Sequence, residues 1–258
     1  MRHLHQSAGI SFDPADRKNG RECCERVLSR LRFVERTGST NADLLAAERA
    51  GEGEWLVAGC QDHGRGRQGR EWSSPTGNFH GSTIIELRPT DPHAPSLALV
   101  CGVALIRAVE TAAPATGLML KWPNDLLLGV GKLAGILLER AGDRVVAGFG
   151  VNLQSAPDLP DRSTAALSSV ALVTPEAFAP LLAAAFAREL ERWRDDLPAL
   201  TALWLESAHP VGSALAVYAG PGERLEGSFA GLEQDGALKL QLPSGEVRVI
   251  RAADVALA

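Results

Sequence analysis

Apolar residues change their spacing several times along the chain. Residues 1–20 are polar, with Gly, Pro, Asp and Asn and no periodicity, and 1–30 as a whole reads as a poorly structured N-terminal extension. A short helix is expected at ECCERVLSRL and a first strand at RFVER. In TGSTNADLLAAERAG, Leu44, Leu45 and Ala47 form a helical apolar stripe, and Thr40 followed by Asp43 gives a capping-box pattern with Thr40 as the cap. WLVAGCQ reads as a strand, WSSPTGN as turn chemistry, FHGSTIIEL as a strand and SLALVCGVALIRAVETA as a long buried helix. LMLKW, DLLL, KLAGILLER and VVAGFGVNL read as strands, separated by Pro-Asn-Asp, Gly129-Val130-Gly131 and Gly142-Asp143. Hairpins this tight imply antiparallel pairing. STAALSSV, PEAFAPLLAAAFARELERW and PALTALWLES read as helices. From His209 the pattern shifts to short alternating strands, ALAVYAG, ERLEGSFAGL, GALKLQL and EVRVIRA, which suggest a small closed β-barrel. The expected architecture is α+β: a mixed, mostly antiparallel sheet with flanking helices over residues 31–208, then the barrel over 209–258.

Composition narrows the class. With 45% hydrophobic and 22% charged residues among 258, this is an ordinary globular chain. A net charge of -5 argues against a general nucleic-acid coat. Cys23, Cys24, Cys60 and Cys101 show no metal-binding spacing, and no disulfide frame is expected. MRHLHQSAGISF lacks the apolar core of a signal peptide, and LALVCGVALI looks too short to span a bilayer. A soluble cytoplasmic protein with no membrane partner is expected.

Against that acidic background, GCQDHGRGRQGREW at 59–72 concentrates Arg65, Arg67 and Arg70 among glycines. Gly64 to Gly69 matches G-x-G-x-x-G, but REWSSPTGN follows, and that segment cannot open the helix a dinucleotide turn requires. An RG-type nucleic-acid segment fits no better, since this is one loop between two apolar strands. Glycines let the backbone approach a ligand, and arginines supply fixed-charge donors for phosphate and carboxylate. A second cluster, Lys-Trp-Pro-Asn-Asp at 121–125 with Lys132 beyond a glycine turn, adds cations at Lys121 and Lys132. Asn124 and Asp125 add oxygens suited to Mg²⁺ or a ribose, although a capped turn explains them equally well taken alone.

GSTN at 38–41, QDHGRGRQGREW at 61–72, KWPNDLLL at 121–128, GKLAGILLE at 131–139 and GFGVNL at 148–153 occur in this order. Together they resemble the biotin–protein ligases, from about Phe33 to the C-terminus. The resemblance implies a catalytic core like that of class II aminoacyl-tRNA synthetases and lipoate ligases, followed by a small SH3-like barrel. It implies an enzyme that activates biotin with MgATP as biotinyl-5′-AMP and passes it to a lysine of a biotin carboxyl carrier domain. It implies no tightly bound prosthetic group and a monomer or homodimer. Carried over onto this sequence, Ser39, Thr40, Asn41 and Gln61 line the biotin site. Arg65, Gly66 and Arg67 cover the biotin carboxyl end, and Lys132 reaches the carboxylate or the adenylate. Arg67, Arg70, Trp72, Lys121, Asn124, Asp125, Lys132 and Asn152 belong to the ATP side, with Trp72 packed on adenine. Gly135 and Ile136 give backbone and wall contacts, and Lys132, Arg67 and Lys121 carry the chemistry.

The chain departs from the pattern at Gln68, where a further basic residue is usual, at Asn78-Phe-His-Gly-Ser82, and at Asp62-His63 before the loop. The extension at 1–30 is too short for the winged helix-turn-helix of bifunctional members, so specific DNA binding is not expected. A lipoate or octanoate ligase of the same fold, or a biotin-responsive DNA-binding repressor, are the alternatives. Residues 62–70 are expected to be mobile without ligand and to close over the adenylate.

Overall fold

In a computed structural model of the chain, residues 30–114, 117–160, 162–220, 223–251 and 253–257 are described. Residues 1–29 of the N-terminal extension, which include all but the last two residues of the helix expected at ECCERVLSRL, lie outside them. Seven strands form the main sheet: β1 (Leu31–Thr37), β2 (Trp55–Gln61), β3 (Phe79–Glu86), β4 (Leu118–Lys121), β5 (Asp125–Leu128), β6 (Gly131–Ala141) and β7 (Arg144–Val151). Their order is β1-β2-β3-β7-β6-β5-β4. Only β1 and β2 run parallel, joined through helix α1 (Thr40–Ala46); every other neighbour is antiparallel, as the tight hairpins require.

Successive residues of the central strands face opposite sides of the sheet. Leu56, Ile84 and Val146 point to one face, beneath Leu44 of α1. Trp55, Val57, Ile85, Val145, Ala147 and Phe149 point to the other, where they join the large core. Helices α2 (Leu97–Ala112), α3 (Pro175–Asp195) and α4 (Leu197–Glu206) complete that core. Both faces are covered, so the strands read as nearly continuous apolar runs. With the turn before it, α2 is long and apolar enough to cross a membrane by length and composition, contrary to the expectation from LALVCGVALI alone; it is mostly buried inside the fold.

Two local expectations are corrected. The cap of α1 is Ser39, extended at φ -160, whose hydroxyl accepts from Ala42 N at 3.5 Å. Thr40 is the first helical residue, and its hydroxyl is engaged sideways with Ser82 and Gln61. Asp43 accepts from the Thr37 hydroxyl instead of closing a capping box. The helix expected at STAALSSV is only a three-residue 3₁₀ turn, Leu167–Ser169. The segment before it is held extended against β6, with Lys132 N donating to Ser163 O at 2.9 Å and Ala165 N to Lys132 O at 3.0 Å.

The C-terminal strands are β8 (Ala214–Gly220), β9 (Glu223–Leu232), β10 (Leu238–Gln241), β11 (Val247–Ile250) and β12 (Asp254–Leu257), in the order β11-β10-β9-β8-β12. Strand β12, which the periodicity missed, pairs antiparallel with β8 from Asp254↔Tyr218 to Leu257↔Leu215. Among the described residues no ladder joins β11 to β12. Leu215, Val217, Phe229 and Leu240 belong to the same apolar cluster as the main core. Trp122 Nε1 donates to Gly236 O at 3.0 Å, tying the KWPND turn to the turn before β10.

Candidate active site

Beyond α1, the α1 face of the sheet changes from large to small side chains. Ser82, Gly148 and Leu137 make one row across β3, β7 and β6; His80, Gly150 and Gly135 make the next. The missing side chains at 148 and 150 sink a cavity of about 1210 Å³ into the sheet. It is lined from α1, the end of β2, the arginine loop, β4 to β7, residues 162–164 and strand β12. Six cationic and three acidic side chains line it, in a chain whose net charge is -5.

Ser39, Thr40, Asn41 and Gln61 form the uncharged end of this cavity. Gln61 Oε1 accepts from Thr40 N at 2.8 Å, and Gln61 Nε2 donates to Ser74 Oγ at 3.1 Å. Thr40 Oγ1 lies 2.6 Å from Ser82 Oγ, and Ser82 Oγ donates to Asn41 Oδ1 at 2.6 Å. Asn41 presses flat on the sheet: a Cβ on Gly148 would stand 2.2 Å from its Oδ1.

Arg65, Gly66, Arg67 and Arg70 come from a closed hairpin. Trp72 N donates to Gly64 O at 2.9 Å and Gly66 N to Arg70 O at 2.7 Å. Gln68 (φ 57) and Gly69 (φ 73) turn the tip through the left-handed region. No helix opens on the glycines; Arg67–Gly69 is a single 3₁₀ turn. The hairpin rests on the C-terminal strand. Arg70 pairs with Asp254 at 2.8 Å, Arg67 approaches the same carboxylate at 3.9 Å, and Arg67 donates to Ala253 O at 3.2 Å. Burial pushes the Arg67 guanidinium below its usual range, Asp254 and Asp125 oppose this, and Arg70 adds to it. A guanidinium still keeps its charge under such shifts.

The other cationic group is built on the β4–β5–β6 hairpins. Asp125 holds Lys132 Nζ at 2.6 Å on one oxygen and Lys121 Nζ at 3.4 Å on the other. Asn124 Nδ2 donates to Ile136 O at 2.7 Å, and its Oδ1 accepts from Arg67 at 3.4 Å. Asn152 is buried, with Nδ2 donating to Lys132 O at 3.3 Å and Ala165 O at 3.1 Å, so it fixes the strand that carries Lys132. Trp72 lies on the floor made by the cross-strand pair Gly135 and Gly150; a Cβ on Gly150 would be 2.3 Å from its Cε2. Lys132 Nζ stands 5.4 Å from the centre of that ring, a cation–π contact. Each candidate residue named from the sequence, Gly135 and Ile136 included, therefore lines this one cavity.

The biotin/lipoate A/B protein ligase family matches residues 32–154. The biotin–[acetyl-CoA-carboxylase] ligase of Paracoccus denitrificans is 39% identical over 242 residues, covering 86% of this chain and 98% of that protein. This chain belongs to the biotin/lipoate A/B protein ligase family. The ligase of the same name from Mycobacterium tuberculosis is 35% identical over 237 residues, covering 87% of this chain and 88% of that protein. The biotin protein ligase of Aquifex aeolicus, solved in complex with biotin and ATP, superposes with a TM-score of 0.79 at 21% identity, over 89% of this chain and 99% of that one. At that identity the likeness speaks for the fold.

The departures from the family's motifs fall mostly outside the cavity. Gln68 is at the exposed hairpin tip. Asn78 is structural: its Oδ1 accepts from Gln154 N at 2.9 Å and Ser155 N at 3.1 Å. Reading the sequence missed Ser82, Glu139, Gly148, Gly150 and Asp254. Sheet register would have placed the first four together, since Ser82 and Leu137 both pair with Gly148 and Glu139 stands two residues further along β6.

Proposed function

We propose that this protein joins biotin to a lysine of a biotin carboxyl carrier domain in two steps, using MgATP. The observation that carries the proposal is one cavity with an uncharged hydrogen-bonding end and a cationic end. A cyclic urea offers N–H and C=O groups in one plane, which suits the polar Thr40, Asn41 and Gln61 end; a plain acyl chain could add no hydrogen bond to it. A carboxylate extending from the ring then meets the loop arginines and Lys132. Two anions must approach for reaction, and at 4 Å two unit charges repel by about 4 kcal/mol at an effective dielectric of 20. Arg67, Lys121 and Lys132 supply the opposing charge. A carboxylate oxygen attacks the α-phosphorus of ATP, and the bond to pyrophosphate breaks. The carrier lysine, as a neutral amine, then attacks the acyl carbon of biotinyl-5′-AMP; the bond to AMP breaks and the amine loses a proton. No side chain needs to act as nucleophile.

Magnesium enters as part of MgATP. Both Asp125 oxygens carry a lysine ammonium and Asn124 Oδ1 carries Arg67, so these two residues do not form a ready cage. Among the described residues no group of three or more His, Cys, Asp or Glu does so either. A reaction that draws on ATP and on a carrier domain suits the cytoplasm. The deciding experiment offers the protein MgATP with biotin or with lipoate and follows pyrophosphate release and acyl-AMP. Turnover with biotin and transfer to a carrier domain is expected; turnover with lipoate alone would make it a lipoate ligase.

A further inference from the structure

Helix α1 carries Thr40 and Asn41 into the cavity, yet it has only seven residues, too few to hold a helix or its place unaided. Ser39 caps it through one 3.5 Å bond, and its last turn contains no basic residue. Its position is set from the sheet below. On β7, Arg144, Val146, Gly148 and Gly150 share one face by alternation, and their partners on β3 are Glu86, Ile84, Ser82 and His80. These two strands space three contacts along the helix. Near its N-terminal end, Asn41 lies over Gly148, accepts from Ser82 and donates to Glu139 Oε2 at 2.8 Å. In the middle, Leu44 packs with Ile84 and Val146. Just past its C-terminal end, Arg144 donates from Nη1 to Ala47 O and from Nη2 to Ala50 O, both at 2.7 Å. Glu86, directly across the ladder, accepts from Arg144 Nε at 2.9 Å and so fixes the plane of the guanidinium. The Arg144 side chain is 19% exposed, so water competes little for these bonds.

We propose that Arg144 is a positioning residue for the first substrate: it holds the carbonyl end of α1 on the sheet and thereby sets where Thr40 and Asn41 meet the ligand. This rests on the reading in which biotin occupies that end of the cavity. Arginine suits the task because its planar fork reaches two carbonyls and a carboxylate at once, and its charge opposes the negative end of the helix. Without the guanidinium, α1 is held only at Leu44 and at its N-terminal end. A short helix that pivots on Leu44 shifts Thr40 and Asn41 over the floor. The cations Arg67, Arg70, Lys121 and Lys132 stand on the hairpin and on β4 to β6, so a shift of α1 leaves the ATP end in place.

Steady-state adenylation by the full chain, with biotin and ATP varied separately, tests this. Arg144→Met keeps the apolar stem and loses the fork; it should raise KM for biotin about tenfold and leave KM for ATP within about twofold. At saturating biotin its kcat should stay within about threefold of the unaltered protein. Arg144→Lys keeps the charge on one compact nitrogen that cannot span all three acceptors, and should raise KM for biotin by about threefold. Should Arg144→Met fail to fold, the lysine variant is read for the same split between the two substrates. Three results would overturn the proposal: an unchanged KM for biotin, an equal rise in both KM values, or a fall in kcat alone. The last is what a smaller folded fraction produces, and it would make Arg144 a stabilising residue only. If the unaltered protein turns over lipoate and not biotin, the biotin reading falls and the same comparison is made with lipoate; if it turns over neither, both fall. If it turns over biotin and the split is absent, the positioning role of Arg144 falls alone.

Discussion

Lys132 is the side chain on which most of the site converges. Asp125 holds it by charge, Trp72 underlies it, and Asn152 fixes its strand. Replacing it with alanine leaves the Asp125 carboxylate with Lys121 as its remaining lysine partner. Lys132→Ala should lower biotin-dependent pyrophosphate exchange about 10²–10³-fold, with folding unchanged by circular dichroism. Near-normal exchange would remove it from the chemistry. Gly148 is critical for the opposite reason, because it has no side chain. A methyl group there would stand 2.2 Å from Asn41 Oδ1, so Gly148→Ala must displace the amide. An ångström of misplacement costs about 10²-fold in demanding sites, and the expected readout is a raised KM for biotin with KM for ATP largely kept. That most of these residues lie in one cavity was legible in the sequence, because cations, amides and glycines cluster in short segments. Glu139 was not: it stands 98 residues from Asn41, and only strand register brings the two together.

The arginine hairpin and strand β12 meet as elements. Short loop and short strand share one carboxylate, Asp254, which takes Arg70 and faces Arg67. That strand was illegible beforehand, since Asp-Val-Ala-Leu is four residues with no turn chemistry before it. The 3₁₀ turn at Leu167–Ser169 misled for a related reason: alanine and leucine favour a helix locally, but pairing with β6 had already claimed their neighbours' backbone. If the hairpin retains the adenylate, weakening its anchorage should affect release before synthesis. Asp254→Asn and Arg67→Gly should both still form biotinyl-AMP, lose it faster, and biotinylate an unrelated protein such as albumin. Dissociation rates equal to those of the unaltered protein would show that the hairpin does not gate the site.

At the scale of the molecule, the sheet and the C-terminal strands share one apolar core, and two buried histidines strain it in acid. His80 is buried, which pushes its imidazole below the usual histidine range against the pull of Pro75 O. His209, between α4 and β8, is displaced the same way by burial and by Lys121, against the pull of the Pro210 backbone, and its ring packs on Phe229. The unfolded chain takes up protons that the folded one refuses. Their contribution is therefore complete above the ordinary histidine pKa of about 6.5 and declines as the pH falls through it. Thermal midpoints should drop between about pH 7 and pH 5, and His209→Phe should flatten that slope. An unchanged slope would acquit His209. The placement of tryptophan has another use. Of five indoles, Trp55, Trp122, Trp193 and Trp204 are each at most 4% exposed, while Trp72 alone lines the cavity. Light emitted at tryptophan wavelengths should thus carry a constant signal from four core rings and a variable one from the site. Any change in fluorescence as biotin or ATP is added reads out a single residue, and Trp72→Phe should silence it.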